Sequence, residues 1–229
     1  MSVVDTSWTM IEAAAAGGAV ERDLFVRRYG PVVDAYLKSR WRAGPHLADR
    51  DDALQDVFLE CLRAGGALER VERRRDGGFR AFLFGVTRNV AARIEGARAK
   101  RPKGEIPSAS NAPGVPVAGP DPDAVFDRAW ALATVREALL CQSRRAELGD
   151  ESMKRRVRIL EARFRDGVPL RVIAERSGED PARVHKDYAQ ARLEFERALR
   201  EVVAFDVGRE SDRVTRECRD ILRLLQSGA

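Results

Sequence analysis

Basic and hydrogen-bonding side chains collect at the start of one predicted helix. Arg183, His185 and Lys186 follow directly after Asp180-Pro181, a pair that supplies a helix N-cap and a proline at the first helical position. Guanidinium and ammonium groups bind phosphate oxygens, and they also donate to base edges in the major groove of DNA. These residue types at the exposed start of a helix predict contact with nucleic acid.

The helix that carries these residues is the second of two in the stretch PLRVIAERSGEDPARVHKDYAQAR. Leu170, Ile173 and Ala174 fall on one face of the first helix, and Gly178 supplies a tight turn after it. The apolar positions of the second helix recur at steps of three and four: Val184, Tyr188, Ala191, Phe195 and Leu199. This layout predicts a DNA-binding helix-turn-helix. An amphipathic hairpin within a helical bundle has the same periodicity and stays open as the alternative.

Composition and charge limit the class of protein. The chain has 229 residues, of which 44% are hydrophobic and 34% charged, with a net charge of +5, so it can form one large or two small domains. A mildly basic balance permits nucleic-acid binding. Because no apolar run reaches the length of a membrane span and no leader pattern precedes the short Ala13 to Ala16 stretch, we expect a cytoplasmic protein. Cys61, Cys141 and Cys218 are scattered within helical patterns, which predicts buried thiols rather than disulfides.

One break divides the chain. Residues 101–122 contain six prolines and little that could build a core, which predicts an extended linker. We therefore expect a helical domain over residues 1–100, the linker, a second helical domain over residues 123–204, and a C-terminal amphipathic helix within residues 205–229. Because strand-like alternation is nowhere sustained, the predicted fold class is all-α.

The helices predicted before the linker are a short one capped by Ser7 and others at residues 19–29, 31–41, 49–62 and 79–96. Those predicted after it lie at residues 123–147 and 151–165, in the helix-turn-helix, and at residues 211–225. For this last helix, packing against the rest of the chain and binding to a partner both remain open.

Two helices of the first domain carry opposite charge. In DDALQDVFLECL the apolar positions form a seam, and Asp51, Asp52, Gln55 and Asp56 occupy the remaining surface. The next helix, beginning FRAFLFGVTRNVA, has an inward apolar face. Its residues predicted to contact DNA are Phe79, Arg80, Arg88, Asn89 and Arg93, with the loop of residues 73–78 beside them. The acidic face suits a basic protein surface, whereas the basic helix suits phosphates and unstacked bases.

Over about residues 19–203 the chain resembles bacterial RNA polymerase sigma factors of the two-domain extracytoplasmic-function type. DDALQDVFLECL is similar to the family helix that docks on the β′ clamp helices of core RNA polymerase, and FRAFLFGVTRNVA is similar to the helix that helps to melt the promoter at the minus-ten element. The stretch from Arg156 to Phe195 is similar to the helix-turn-helix that reads the minus-thirty-five element. The resemblance implies core RNA polymerase (β′ clamp helices and β flap) and promoter DNA as partners, and it leaves an anti-sigma factor open as a further partner.

The recognition helix departs from the family pattern at Glu179, Asp187 and Gln190. The residues expected to contact DNA in this half are Arg171, Arg183, His185, Lys186 and Arg192, helped by Lys154 and Arg155. Two readings of Asp187 stay open. If it is a tolerated surface charge, Asp187→Asn strengthens binding to all sequences; if it accepts a hydrogen bond from a cytosine, the change weakens binding at one base pair.

An enzyme is not expected. His46 and His185 are the only histidines, and neither a metal-ligand cluster, a phosphate-binding loop nor a dinucleotide fingerprint is visible, so no cofactor is predicted. Two other functions stay open beside the sigma factor. A conventional helix-turn-helix regulator would not need the acidic helix, and a sigma-like protein that sequesters polymerase would keep that helix but lose DNA binding.

Overall fold

The structure, a computed structural model, describes residues 10–42, 44–71, 78–99, 119–207 and 210–226. Its helices are α1 (Ala19–Arg40), α2 (Arg50–Leu62), α3 (Gly78–Ala99), α4 (Pro122–Glu147), α5 (Glu151–Phe164), α6 (Leu170–Ser177), α7 (Pro181–Val207) and α8 (Ser211–Gln226). Residues 10–15 are also helical, and two short 3-10 helices span Pro45–Leu47 and Leu68–Arg70. Every regular element in these ranges is helical, which confirms the all-α class.

Helix α1 runs through Pro31, where we expected one helix to end and another to begin. A proline inside a helix removes one backbone hydrogen bond and crowds the carbonyl one turn before it. Packing outweighs that cost here, since Tyr29 and Val32 on either side of Pro31 are buried, as are Phe25 and Tyr36 further along the helix. The prediction of two separate helices was therefore wrong.

The first core is rich in aromatic rings, and α4 supplies two of them. Trp130 stacks on Tyr29 of α1 with ring centroids 5.4 Å apart, and Phe126 packs edge-on to Tyr36 at 6.2 Å. Phe79 of α3 lies 5.2 Å from Tyr29 in the same cluster. The start of α4 thus completes a core that α1, α2 and α3 begin.

The second half of α4 belongs to a different core. Ala138 and Cys141 pack there with Leu199 and Val202 of α7 and with Ile221 of α8. A third, small cluster joins α5, α6 and the start of α7. Helix α4 therefore connects the two halves of the chain as a packed element on both sides.

The end of the predicted linker is attached to α1. Ser39 Oγ and Arg42 both donate hydrogen bonds to the carbonyl of Pro120, at 3.1 and 3.0 Å. Asp121 then caps α4 by accepting from the backbone N–H of Asp123. Residues 101–118 of the linker, Ser7 and the loop at residues 72–77 lie outside the described residues.

Helices long and apolar enough to cross a membrane do not occur among the residues that the structure describes.

Candidate functional site

The helix-turn-helix is built by local signals that the sequence carries. Gly178 ends α6 in the left-handed region with φ +65°, which a residue with a Cβ adopts only at a cost. Two residues later, Asp180 Oδ1 accepts from the backbone N–H of Ala182 at 3.2 Å and caps α7. Val184 and Ala174, 0% and 2% exposed, then pack α7 against α6 and onto Ile159 of α5.

This packing leaves the first turns of α7 open to solvent. Arg183, His185 and Lys186 are all exposed. Arg192, further along α7, is exposed as well, and its guanidinium lies 5.9 Å from the ring centroid of Tyr188. Arg171 on α6 has an 83% exposed side chain that pairs with Glu175 at 3.3 Å. All five predicted basic positions are therefore accessible to a polyanion.

The side chain of Asp187 lies against α5 rather than extending from the recognition helix into solvent. Its carboxylate forms an ion pair with Arg155 of α5, and the two side chains are only 14% and 17% exposed. The same guanidinium donates to Glu179 Oε1 in the turn at 2.8 Å. The structure thus gives Asp187 an internal role that neither reading of the sequence included.

These pairs fix α7 on α5. Arg155 joins the turn to the recognition helix, and Arg156 reaches Glu194, about two turns after Asp187 on α7, at 2.8 Å. Arg155 was predicted to help bind phosphate, but two carboxylates already occupy it. The predicted helper Lys154 is likewise 3.2 Å from Glu151. Arg155 is better described as a positioning residue than as a DNA contact.

The predicted polymerase-docking residues lie along the exposed side of α2. Asp51, Asp52 and Gln55 are exposed, and Asp51 forms a hydrogen bond with its neighbour Arg50 at 2.8 Å. Asp56 is half-exposed and lies 3.3 Å from Arg93 of α3. The acidic and basic faces predicted as separate surfaces therefore meet at this ion pair.

An apolar groove between α1 and α2 adds residues that sequence reasoning missed. Its volume is about 500 Å³, and its apolar lining is Val26, Leu54, Phe58, Leu59 and Leu62, with Arg22, Gln55 and Arg63 at the rim. Leu59 is 63% exposed and Val26 39% exposed. Leu59 stands outside the apolar seam of its helix, which is the signal that could have identified it from the sequence.

The residues of α3 that were predicted to contact DNA differ in their exposure to solvent. Phe79 is 2% exposed within the aromatic core, so its ring is not available to stack on a base and serves packing instead. Arg88 and Asn89 are exposed on the outer face. Arg80, in the first turn, lies beside Asp127 and Glu217.

The cysteines do not form a reactive site. Cys61, Cys141 and Cys218 are free and buried, and burial raises the pKa of the Cys61 thiol to about 12. No group of three or more histidine, cysteine or acidic side chains within the described ranges could hold a metal ion.

Comparison with known proteins gives no family for this chain. No protein-family model matches it, and no curated protein sequence matches it.

Proposed function

We propose that this chain is a sigma factor, which binds core RNA polymerase and directs it to promoter DNA. The observation that carries the proposal is the exposed start of α7, where Arg183, His185 and Lys186 face solvent over a buried Val184. A recognition helix anchored from behind offers its first turns to the major groove. There the basic side chains contact phosphates and base edges, and each good base contact discriminates by about 1–3 kcal/mol.

A second surface supports a protein partner. The lining of the groove between α1 and α2 includes the exposed side chains of Leu59 and Val26, and Asp51, Asp52 and Gln55 lie on the same helix as Leu59. An apolar centre with a polar rim is the usual anatomy of a protein interface. The acidic residues favour a basic partner, which agrees with docking on the β′ clamp helices.

The outer face of α3 supplies the chemistry for a third contact. Arg88 and Asn89 are exposed on the same helix, one turn before Arg93. Strand separation exposes unstacked bases, and capturing them needs hydrogen-bonding groups together with charge that neutralises the backbone. We assign this face to the minus-ten element and the helix-turn-helix to the minus-thirty-five element.

The docking surface is tested by one substitution and a matched control. Leu59→Glu places a charge in the groove without disturbing the core, because Leu59 is 63% exposed; Leu148→Glu makes the same change at a residue that is 92% exposed after the end of α4. In a titration with purified core polymerase, we expect Leu59→Glu to lower affinity at least about tenfold, as loss of an interface hot spot does, and Leu148→Glu to leave it unchanged.

In vitro transcription from genomic promoter fragments tests the function as a whole. Promoter-specific transcripts that require both this protein and core polymerase would support the sigma factor. Binding to core polymerase with no promoter-specific transcription would favour the sequestering protein. Binding to duplex DNA with no affinity for core polymerase would favour the conventional regulator. If the protein bound neither core polymerase nor duplex DNA, the proposal would be overturned.

A further inference from the structure

The three residues at which the recognition helix departs from the family pattern differ in their surroundings. Glu179 and Asp187 both pair with Arg155, so their carboxylates act inside the protein. Gln190, the third, is exposed on α7. Its amide can therefore reach a molecule outside the chain.

Two contacts in series fix the direction of this amide. Gln190 Nε2 donates a hydrogen bond to Glu194 Oε1, one turn further along α7, at 3.3 Å. The same oxygen lies 2.8 Å from the guanidinium of Arg156 on α5, and the side chains of Arg156 and Glu194 are only 15% and 18% exposed. Because this largely buried ion pair holds Glu194 in place, the carboxylate determines which way the amide of Gln190 faces.

The groups of Gln190 that remain available match one base. A glutamine amide has two N–H donors and a carbonyl acceptor, so one N–H and the carbonyl remain after the bond to Glu194. In the major groove, adenine presents the N7 acceptor beside the N6 donor, whereas guanine presents two acceptors, cytosine a donor and thymine an acceptor. Only adenine can accept from the N–H and donate to the carbonyl at the same time.

The position of Gln190 on α7 also suits a base contact. Arg183, Lys186 and Gln190 follow one another at steps of three and four residues, which places them along one side of the helix. Arg183 and Gln190 are seven residues apart, which is about 10.5 Å along the helix axis or about three base-pair steps of DNA. Side chains spaced in this way can reach neighbouring base pairs of one major groove.

We propose that Gln190 is a specificity-determining residue, which reads an adenine in the major groove. The inference rests on the proposed function, from which it takes that α7 enters the groove of duplex DNA. It adds the identity of one base to a surface for which the basic side chains supply affinity. The adenine lies about three base-pair steps from the position that Arg183 contacts.

Selection from random duplex DNA tests the assignment, with the full chain alone and with its complex with core polymerase. The variant is Gln190→Ala. Glu196→Ala is the matched control, because Glu196 is also on α7, with a 63% exposed side chain that lies 4.0 Å from Arg200. We expect the wild type and the control to select adenine at one position where Gln190→Ala accepts every base, with the other positions unchanged. The same preferences in all three proteins, a loss spread over all positions, or a relaxed position that is not adenine would overturn the proposal.

A modified base then tests the hydrogen bond to N7. The analogue 7-deazaadenine lacks the N7 acceptor but still pairs with thymine. At the selected adenine, we expect it to lower the affinity of the wild type at least about fivefold, because the amide N–H loses its acceptor, and to leave the affinity of Gln190→Ala unchanged. An equal loss in both proteins would assign N7 to another residue, and no loss in either would remove the contact; both outcomes contradict the proposal.

The transcription assay separates failure of the adenine contact from failure of the proposed function. If the wild type directs promoter-specific transcription and Gln190→Ala keeps the same base preferences, only the adenine contact is wrong. If neither the chain nor its complex with core polymerase selects any duplex, and no promoter-specific transcript forms, the proposed function fails and the adenine contact fails with it.

Discussion

Replacing Asp187 by asparagine tests the role of the Arg155 ion pairs in the helix-turn-helix. The change keeps the size of the side chain and one acceptor oxygen but removes the negative charge beside Arg155, where both side chains are more than four-fifths buried. Arg155 retains its bond to Glu179 at 2.8 Å, so the guanidinium is not left without a carboxylate. We therefore expect a loss of about 1.5–3 kcal/mol, the range for a hydrogen bond to a charged group, rather than the larger cost of an isolated buried charge.

The assay is chemical and thermal denaturation, with Glu175→Gln as the matched control. Glu175 also loses a carboxylate from the helix-turn-helix, but its partner Arg171 is 83% exposed. The control should stay within about 0.5 kcal/mol of the wild type. For a chain of this size, the loss in Asp187→Asn corresponds to a fall in Tm of about 3–12 °C. A Tm equal to that of the control would refute the internal role of Asp187.

DNA binding by Asp187→Asn also distinguishes the internal role of Asp187 from the two roles that the sequence left open. A recognition helix that is held less firmly on α5 should bind every promoter variant more weakly by a similar factor. Stronger binding to all sequences would favour a tolerated surface charge, and a loss confined to one base pair would favour direct reading of a cytosine. The three roles of Asp187 thus give three different patterns across a set of single-base variants at fixed salt.

Two further predictions concern stability. Gly178→Ala should destabilise the chain by about 1 kcal/mol, because position 178 has φ +65°. Gly85→Ala, at an open helical position in α3, should instead stabilise the chain by about 0.5–1 kcal/mol. Denaturation curves of the two variants that shift in the same direction would contradict this pair of expectations. The hydrogen bonds from Arg40 lower the pKa of Glu95, so the stability they contribute is present above the ordinary pKa of about 4.3 and lost as the pH falls through the lower, folded value. The difference in unfolding free energy between wild type and Glu95→Gln should shrink as the pH falls below the ordinary pKa of about 4.3, and a constant difference would show that the pair is not responsible.

Local signals made much of the fold predictable from the sequence. The cap at Asp180 and the turn at Gly178 are set by residues within a few positions, and both are present as expected. Pro31 misled the prediction because its local cost is outweighed by buried neighbours, and burial depends on the whole fold.

The contacts that were missed join positions far apart in the chain. Trp130 stacks on Tyr29 across about 100 residues, and Arg155 pairs with Asp187 on another helix. Periodicity identifies which face of a helix is buried but not which helix covers it. For the same reason, the position of Phe79 in α3 does not by itself show whether its ring packs in the core or contacts DNA.

The position of Trp130 sets the order in which this protein can fold during its synthesis. Domains of a growing chain generally fold as units, starting from the N-terminal end. Here the first core lacks Phe126 and Trp130 until the linker and the first turns of α4 have left the ribosome. Until then, Tyr29 and Tyr36 lack the aromatic rings that α4 packs against them in the folded protein. The nascent chain therefore exposes apolar surface while residues 101–122 are being synthesised. The proline-rich segment therefore also sets a delay between the synthesis of α3 and the completion of the core around it.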